Sequence, residues 1–187
     1  MPRVIQTGFK YIAVPVFLLG LADGTVMGAT NTWIAGSGDF NTAANWDTDA
    51  TPAGGDDVMF TNNTSYTVSF ANNSALLTHC TFSGHVGAVT LDMGSSILYT
   101  TNQVRIGRYD STSTVYMVSG TLYCSDGGAA QIRIGDAITN AVSCVGTFIV
   151  TNGTVYADAV NIGASATASG TLVVTGPAQW IYDDGTF

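Results

Sequence analysis

The second half of the chain alternates apolar with other residues in a phrase written three times: Val104-Arg105-Ile106-Gly107, Ile132-Arg133-Ile134-Gly135 and Val160-Asn161-Ile162-Gly163. Alternation of this kind predicts short strands with one face turned inward. The phrase's closing glycines keep a constant interval, since 135 − 107 and 163 − 135 both equal 28, the length scale of one coil of a stacked solenoid. A second phrase runs between the first: Val118-Ser119-Gly120-Thr121-Leu122-Tyr123, then Val150-Thr151-Asn152-Gly153-Thr154-Val155-Tyr156, then more weakly Val174-Thr175-Gly176-Pro177-Ala178-Gln179-Trp180. Its valines are unevenly spaced, at 150 − 118 = 32 and 174 − 150 = 24. Constant strands therefore alternate with turns of variable length, such as Ser125-Asp126-Gly127-Gly128. Val, Ile, Thr and Tyr suit a pleated strand, and the flanking Gly, Asn, Asp and Ser suit turns. No helix is expected after residue 29.

One copy of such strands cannot bury its own apolar face, whereas stacked copies bury it continuously. The chain therefore reads as an all-β, right-handed parallel β-helix, in which Ile106, Ile134 and Ile162 form one interior ladder about 4.8 Å per step. An antiparallel β-sandwich is the alternative. It supplies no reason for equal intervals between the Ile-Gly marks.

Residues 1–29 differ in kind. Arg3 and Lys10 form a positive start, Tyr11 to Ala22 is a mostly apolar run, and Val26-Met27-Gly28-Ala29 offers small residues before Thr30. This is the pattern of a secretory signal peptide cleaved after Ala29, with Ala22 as the other site; a spanning helix needs about 20 apolar residues. Cleavage leaves three basic residues, Arg105, Arg108 and Arg133, against twelve aspartates, a net charge of 3 − 12 = −9. So acidic a chain repels phosphate backbones, which argues against nucleic-acid partners. The membrane is expected to matter only for export.

Residues 30–60 read as an N-terminal capping segment and residues 61–187 as the repeats. Trp33, Phe40 and Trp46 suit the lid that a solenoid's open first coil requires. Trp33 and Trp46, with Asn45 alongside, are also the residues a sugar-binding site would use. Arg105 and Arg133 recur at the same interval and are expected on one outer face, where a basic ladder would meet an acidic polymer. These four residues are the candidate ligand contacts, with extracellular glycans or environmental surfaces as the partners.

No catalytic residue is assigned. Asp56-Asp57 and Asp183-Asp184 are adjacent pairs whose members point to opposite faces of a strand, so neither is a ready-made acid and base. His79, Cys80 and His85 lack a fourth metal ligand. Asp39, Asn41, Asp47 and Asp49 crowd turns without a recognised calcium-loop spacing. No cofactor is expected. Of the cysteines Cys80, Cys124 and Cys144, the last two are the candidate disulfide pair, the alternative being three buried thiols.

Trp33, Gly36-Ser37-Gly38-Asp39-Phe40, Ala44-Asn45-Trp46, Pro52 and Gly55-Asp56-Asp57-Val58-Met59-Phe60, followed by Gly170-Thr171-Leu172-Val173-Val174-Thr175-Gly176 and the Ile-Gly marks, resemble bacterial autotransporter-type β-strand repeat proteins. The resemblance covers nearly all of the mature chain. It implies a pectate-lyase-like β-helix carried to the cell surface or beyond, without catalytic activity and with a structural or adhesive role. It also implies a downstream barrel or sorting tail, so the chain, which stops in mid-phrase at Phe187, reads as a fragment. The expectation from another class is a carbohydrate-binding or polysaccharide-cleaving module.

Overall fold

The computed structural model describes residues 28–84, 87–126, 128–137, 143–163 and 165–182. The leader assigned to residues 1–29 lies almost wholly outside them. Among the described residues every pairing between strands is parallel, and the strands stack as a β-solenoid of about six turns. The sandwich alternative falls with that observation. No helix among the described residues is long and apolar enough to cross a membrane.

Three columns of strands make up the coil. The first stacks β1 (Thr30–Thr32), β3 (Asp57–Phe60), the end of β5 (Leu76–Phe82), the end of β6 (Ala88–Arg108), β8 (Gln131–Asp136) and β11 (Ala159–Ile162). The second stacks β2 (Gly38–Asp39), β4 (Tyr66–Ser69), the start of β6, β7 (Thr112–Cys124), β9 (Cys144–Val150) and β12 (Ala168–Val174). The third stacks the start of β5, the middle of β6, the end of β7, β10 (Thr154–Ala157) and β13 (Gln179–Tyr182). Strand β6 alone runs through all three columns; its register against β7 breaks between Leu91 and Ile97, where the chain turns a corner.

Because the ladders are in register, like positions climb vertically. Val58, Cys80, Val104, Ile132 and Val160 form one interior row. Beside it stand Phe60, Phe82, Ile106, Ile134 and Ile162. Ile106 and Ile134 are wholly buried, as the repeat predicts, whereas Ile162 is 50% exposed. Ile162 lies on the last described turn, with no described strand stacked over it; Val174 and Tyr182 are exposed on the same turn for the same reason.

The constant step of the Ile-Gly marks describes only two turns. Val58 pairs with Cys80, a step of 80 − 58 = 22, and Val115 pairs with Phe148, a step of 148 − 115 = 33. The second repeated phrase proves to be the corner between the second and third columns, and its first copy is one residue shorter than its second. Met117, not Val118, is therefore the partner of Val150.

The segment over residues 30–60 is continuous with the solenoid, since β1 and β3 already belong to the first column. Its end is closed by aromatic rings. Trp33 and Trp46 form an antiparallel bridge outside the strands and meet edge to face with centroids 5.1 Å apart. Phe40 packs on Trp46 at 4.9 Å and on Phe70 at 4.7 Å. Both indoles are satisfied: Trp33 Nε1 donates to Gly36 O at 3.0 Å and Trp46 Nε1 to Phe40 O at 2.9 Å.

The glycine of the repeated phrase has a steric cause. Gly107 and Gly135 have φ of 72° and 71°, a region costly to residues with a Cβ. A Cβ on Gly135 would also sit 2.3 Å from the carbonyl oxygen of Ser169 in the turn above, and one on Gly107 would sit 2.3 Å from that of Val145. The chain leaves the first column here, and only hydrogen lets the next turn settle so closely. Gly135→Ala is expected to lower stability by about 2–4 kcal/mol in urea unfolding, adding left-handed strain to the clash. Trp46→Ala should cost about 3–5 kcal/mol in the same measurement.

Candidate functional site: the outward face of the first column

Every second residue of the first column points away from the core, and these positions also stack. One row is Asp57, His79, Gln103 and Gln131; the next is Met59, Thr81, Arg105, Arg133 and Asn161. The expected juxtaposition of Arg105 and Arg133 is therefore present, on the paired strands β6 and β8.

Their hydrogen bonds follow the rows. Arg105 Nε donates to Gln103 Oε1 at 2.7 Å, and Arg133 Nε donates to Gln131 Oε1 at 3.2 Å. Gln131 Oε1 also accepts from Asn161 Nδ2 at 3.0 Å. Arg133 Nη1 reaches Asp136 Oδ1 at 2.8 Å, and Arg108 Nε lies 3.7 Å from Asp136 Oδ2. Desolvation, followed by the neighbouring Arg108, lowers the pKa of the half-buried Arg105; it remains a cation at neutral pH. At the lower end of this face His79 Nδ1 pairs with Asp57 Oδ1 at 2.7 Å.

Arg108 and Tyr109 are additions that the repeat phrases did not single out. Both Arg108 and Asp136 directly follow an Ile-Gly mark and stack on one another, so opposite charges at equivalent repeat positions were the available signal. The Arg108 guanidinium sits 4.8 Å from the centroid of the Tyr109 ring.

Trp33 and Trp46 lie elsewhere, at the closed end, and both have 0% exposure. They offer no ring face to a sugar in this structure, because the first turn needs them as core. Asn45 likewise serves the fold, its Nδ2 donating to Asp39 O at 2.8 Å.

Asp56 and Asp57 do point opposite ways. Asp56 turns inward, where Oδ1 accepts from Ala29 N at 2.7 Å and Oδ2 from Asn31 Nδ2 at 2.8 Å and Ala53 N at 2.9 Å. Asp158 occupies the same corner immediately before a first-column strand, and its Oδ2 accepts from the N–H groups of Asp126, Gly128 and Ala130 at 3.1, 2.9 and 3.1 Å. Burial opposes its ionisation, but hydrogen bonds from Ser125 and those three N–H groups outweigh burial and lower its pKa. Asp158 thus fastens the Ser125–Gly128 corner from the turn above.

Among the described residues no group of three or more His, Cys, Asp or Glu side chains is placed to hold a metal ion. Asp39 Oδ1 accepts from Asn41 N at 2.7 Å, Asp47 Oδ1 from Thr32 N at 2.7 Å, and Asp49 occupies a left-handed turn with φ of 51°. His79 faces outward and Cys80 inward; His85, Asp183 and Asp184 lie outside the described residues.

The candidate disulfide is not formed. All three cysteines are free and buried. Cys124 stacks between Thr100 and Ala157 in the third column, while Cys144 begins β9 in the second and pairs with Ala168. The stretch of chain between them travels part of the way round a turn rather than one full step upward.

Burial raises the Cys124 pKa from 9.0 to about 11, and burial, with Cys124 nearby, raises that of Cys80. Folded thiols that hold protons more tightly than unfolded ones stabilise the fold fully below pH 9, and that contribution is lost as pH rises above it. Thermal midpoints should accordingly fall between pH 9 and pH 11, and thiol reagents at about pH 8 should modify these cysteines only on unfolding. No protein-family model matches the chain, and no curated protein or solved structure is significantly similar to it.

Proposed function

We propose that this chain is a non-enzymatic segment of a secreted or cell-surface protein of the bacterial autotransporter-type β-strand repeat kind, with a structural or adhesive role. The observation that carries the reading is the continuous dry stack. Among the described residues, one apolar core runs through the turns from Trp33 to Ala157. Such a solenoid resists collapse along its axis, because each turn is hydrogen-bonded to its neighbours over three columns.

The outer face of the third column supports a contact role. Tyr99, Tyr123 and Tyr156 stand in register there, with ring centroids 5.8 and 5.5 Å apart. Leu76, 52% exposed, continues this row at its lower end. The leader read in residues 1–29 supplies the route outward.

Expression of the full chain in a bacterium with an outer membrane tests the proposal. The expected product begins at Thr30 by N-terminal sequencing, lies outside the cytoplasm and releases no fragments from polysaccharide substrates. Full-length protein retained in the cytoplasm would overturn the export reading, and depolymerisation of a polysaccharide would overturn the non-enzymatic one.

A further inference from the structure

The positive charge of residues 28–187 is gathered in one place. The chain has five Lys and Arg residues, of which Arg3 and Lys10 fall in the leader. The other three, Arg105, Arg108 and Arg133, meet on the outer face of the first column across the ends of β6 and β8. In a segment of net charge −9, three cations would be expected to disperse among twelve aspartates. Here Arg108 and Arg133 share one ion-paired carboxylate, that of Asp136. The next carboxylate along this face is Asp57, hydrogen-bonded to His79 at 2.7 Å. Positive charge exceeds negative by two, 3 − 1, over Arg105, Arg108, Arg133 and Asp136, and by one, 3 − 2, once Asp57 is included.

Like charges stacked directly on neighbouring strands repel. Arg105 and Arg133 are held in that position by the register, steadied by the neutral amides of Gln103 and Gln131. Arg108 Nε and Nη1 are buried without a hydrogen bond among the described residues, Nε standing 3.7 Å from the equally unbonded Asp136 Oδ2. Directly beyond it the backbone takes two successive left-handed residues, Tyr109 and Asp110, each with φ of 60°. Non-glycine residues in this region are uncommon, and strained segments of this sort concentrate at ligand sites. The turn leaves the Tyr109 ring 47% exposed beside the guanidinium of Arg108.

Guanidiniums in excess, fixed amides and an accessible aromatic ring have complementary chemistry in a sugar that bears an acid group. The guanidiniums take the anion as a fork, and the ring supplies a flat apolar surface. The remaining surface is acidic, so a long, densely charged polyanion is repelled outside this patch. We propose that the Arg105–Arg108–Arg133 face, with Tyr109 at its edge, binds an acidic saccharide unit, its carboxylate or sulfate held by Arg105 and Arg133 and its ring resting on Tyr109. The proposal rests on the adhesive reading and gives that reading a partner. Binding would stand even if export failed, and export without binding would remove this inference alone.

Calorimetric titration of the purified chain at low salt tests it with methyl β-D-glucuronide, glucose 6-sulfate, methyl β-D-glucoside and inorganic sulfate. The expected result is binding of one or both acidic sugars, distinguishing carboxylate from sulfate, with the neutral glucoside at least about tenfold weaker. Raising the salt should weaken binding. Arg105→Gln should reduce it by about tenfold or more at unchanged thermal midpoint, and Arg133→Gln should reduce it as much while lowering the thermal midpoint, because the buried Asp136 loses its 2.8 Å partner. Tyr109→Ala should weaken the sugar and leave inorganic sulfate unaffected. Equal binding of glucuronide and glucoside, no binding of either acidic sugar, or indifference to both arginine substitutions would overturn the proposal. Equal losses of sugar and sulfate with Tyr109→Ala would overturn the role of the ring.

Discussion

Parallel, in-register hydrogen bonding between successive turns is the constraint from which the remainder of this molecule follows. Once the backbone of one turn is laid on the next, a residue's neighbours above and below are fixed by register rather than by choice. Inside, the result is favourable: Val58, Cys80, Val104, Ile132 and Val160 are side chains of similar bulk that fill one shaft without interruption. Outside, the same rule places Arg105 against Arg133, and the sequence around them answers with amides, Asp136 and a stacked tyrosine. Core packing and surface electrostatics are two consequences of a single alignment.

Corners escape that rule, and the variation is concentrated there. The step from Val115 to Phe148 is half as long again as that from Val58 to Cys80, yet the strands above and below each corner stay paired. Two devices hold them. Glycine permits the close approach where the chain leaves the first column, as at Gly107 and Gly135. Buried carboxylates gather loose N–H groups where it re-enters, as at Asp56 and Asp158. Satisfying such groups matters because a buried, unpaired N–H costs as much as a lost hydrogen bond.

These facts explain what could be read from the residues alone. The Ile-Gly marks were legible because steric need fixes glycine at Gly107 and Gly135, where earlier turns carry Thr61 and Ser83, and from them the coil and the Arg105–Arg133 pairing follow. Trp33, Phe40 and Trp46 were legible as a closing element because rings that large have few other places in a chain of small residues. The third column was harder to see, since corner length varies there and shifts Val118 out of line with Val150. The kinship of Asp56 and Asp158 was hidden, because the corresponding corner residues in other turns are Thr78, Asn102 and Ala130. Cys124 and Cys144 misled for a related reason: separation along the chain does not say which column a residue enters.

The distribution of rings gives the solenoid a direction. Trp33, Phe40, Trp46, Phe60, Tyr66, Phe70 and Phe82 crowd the lower turns in mutual contact, whereas the turn formed by β11, β12 and β13 is only partly covered. In a structure whose cohesion is a sum over neighbouring layers, such an imbalance concentrates cohesion in the aromatic turns. Assembly and disassembly thereby acquire a polarity, with the aromatic end serving as the foundation course on which each later layer is laid.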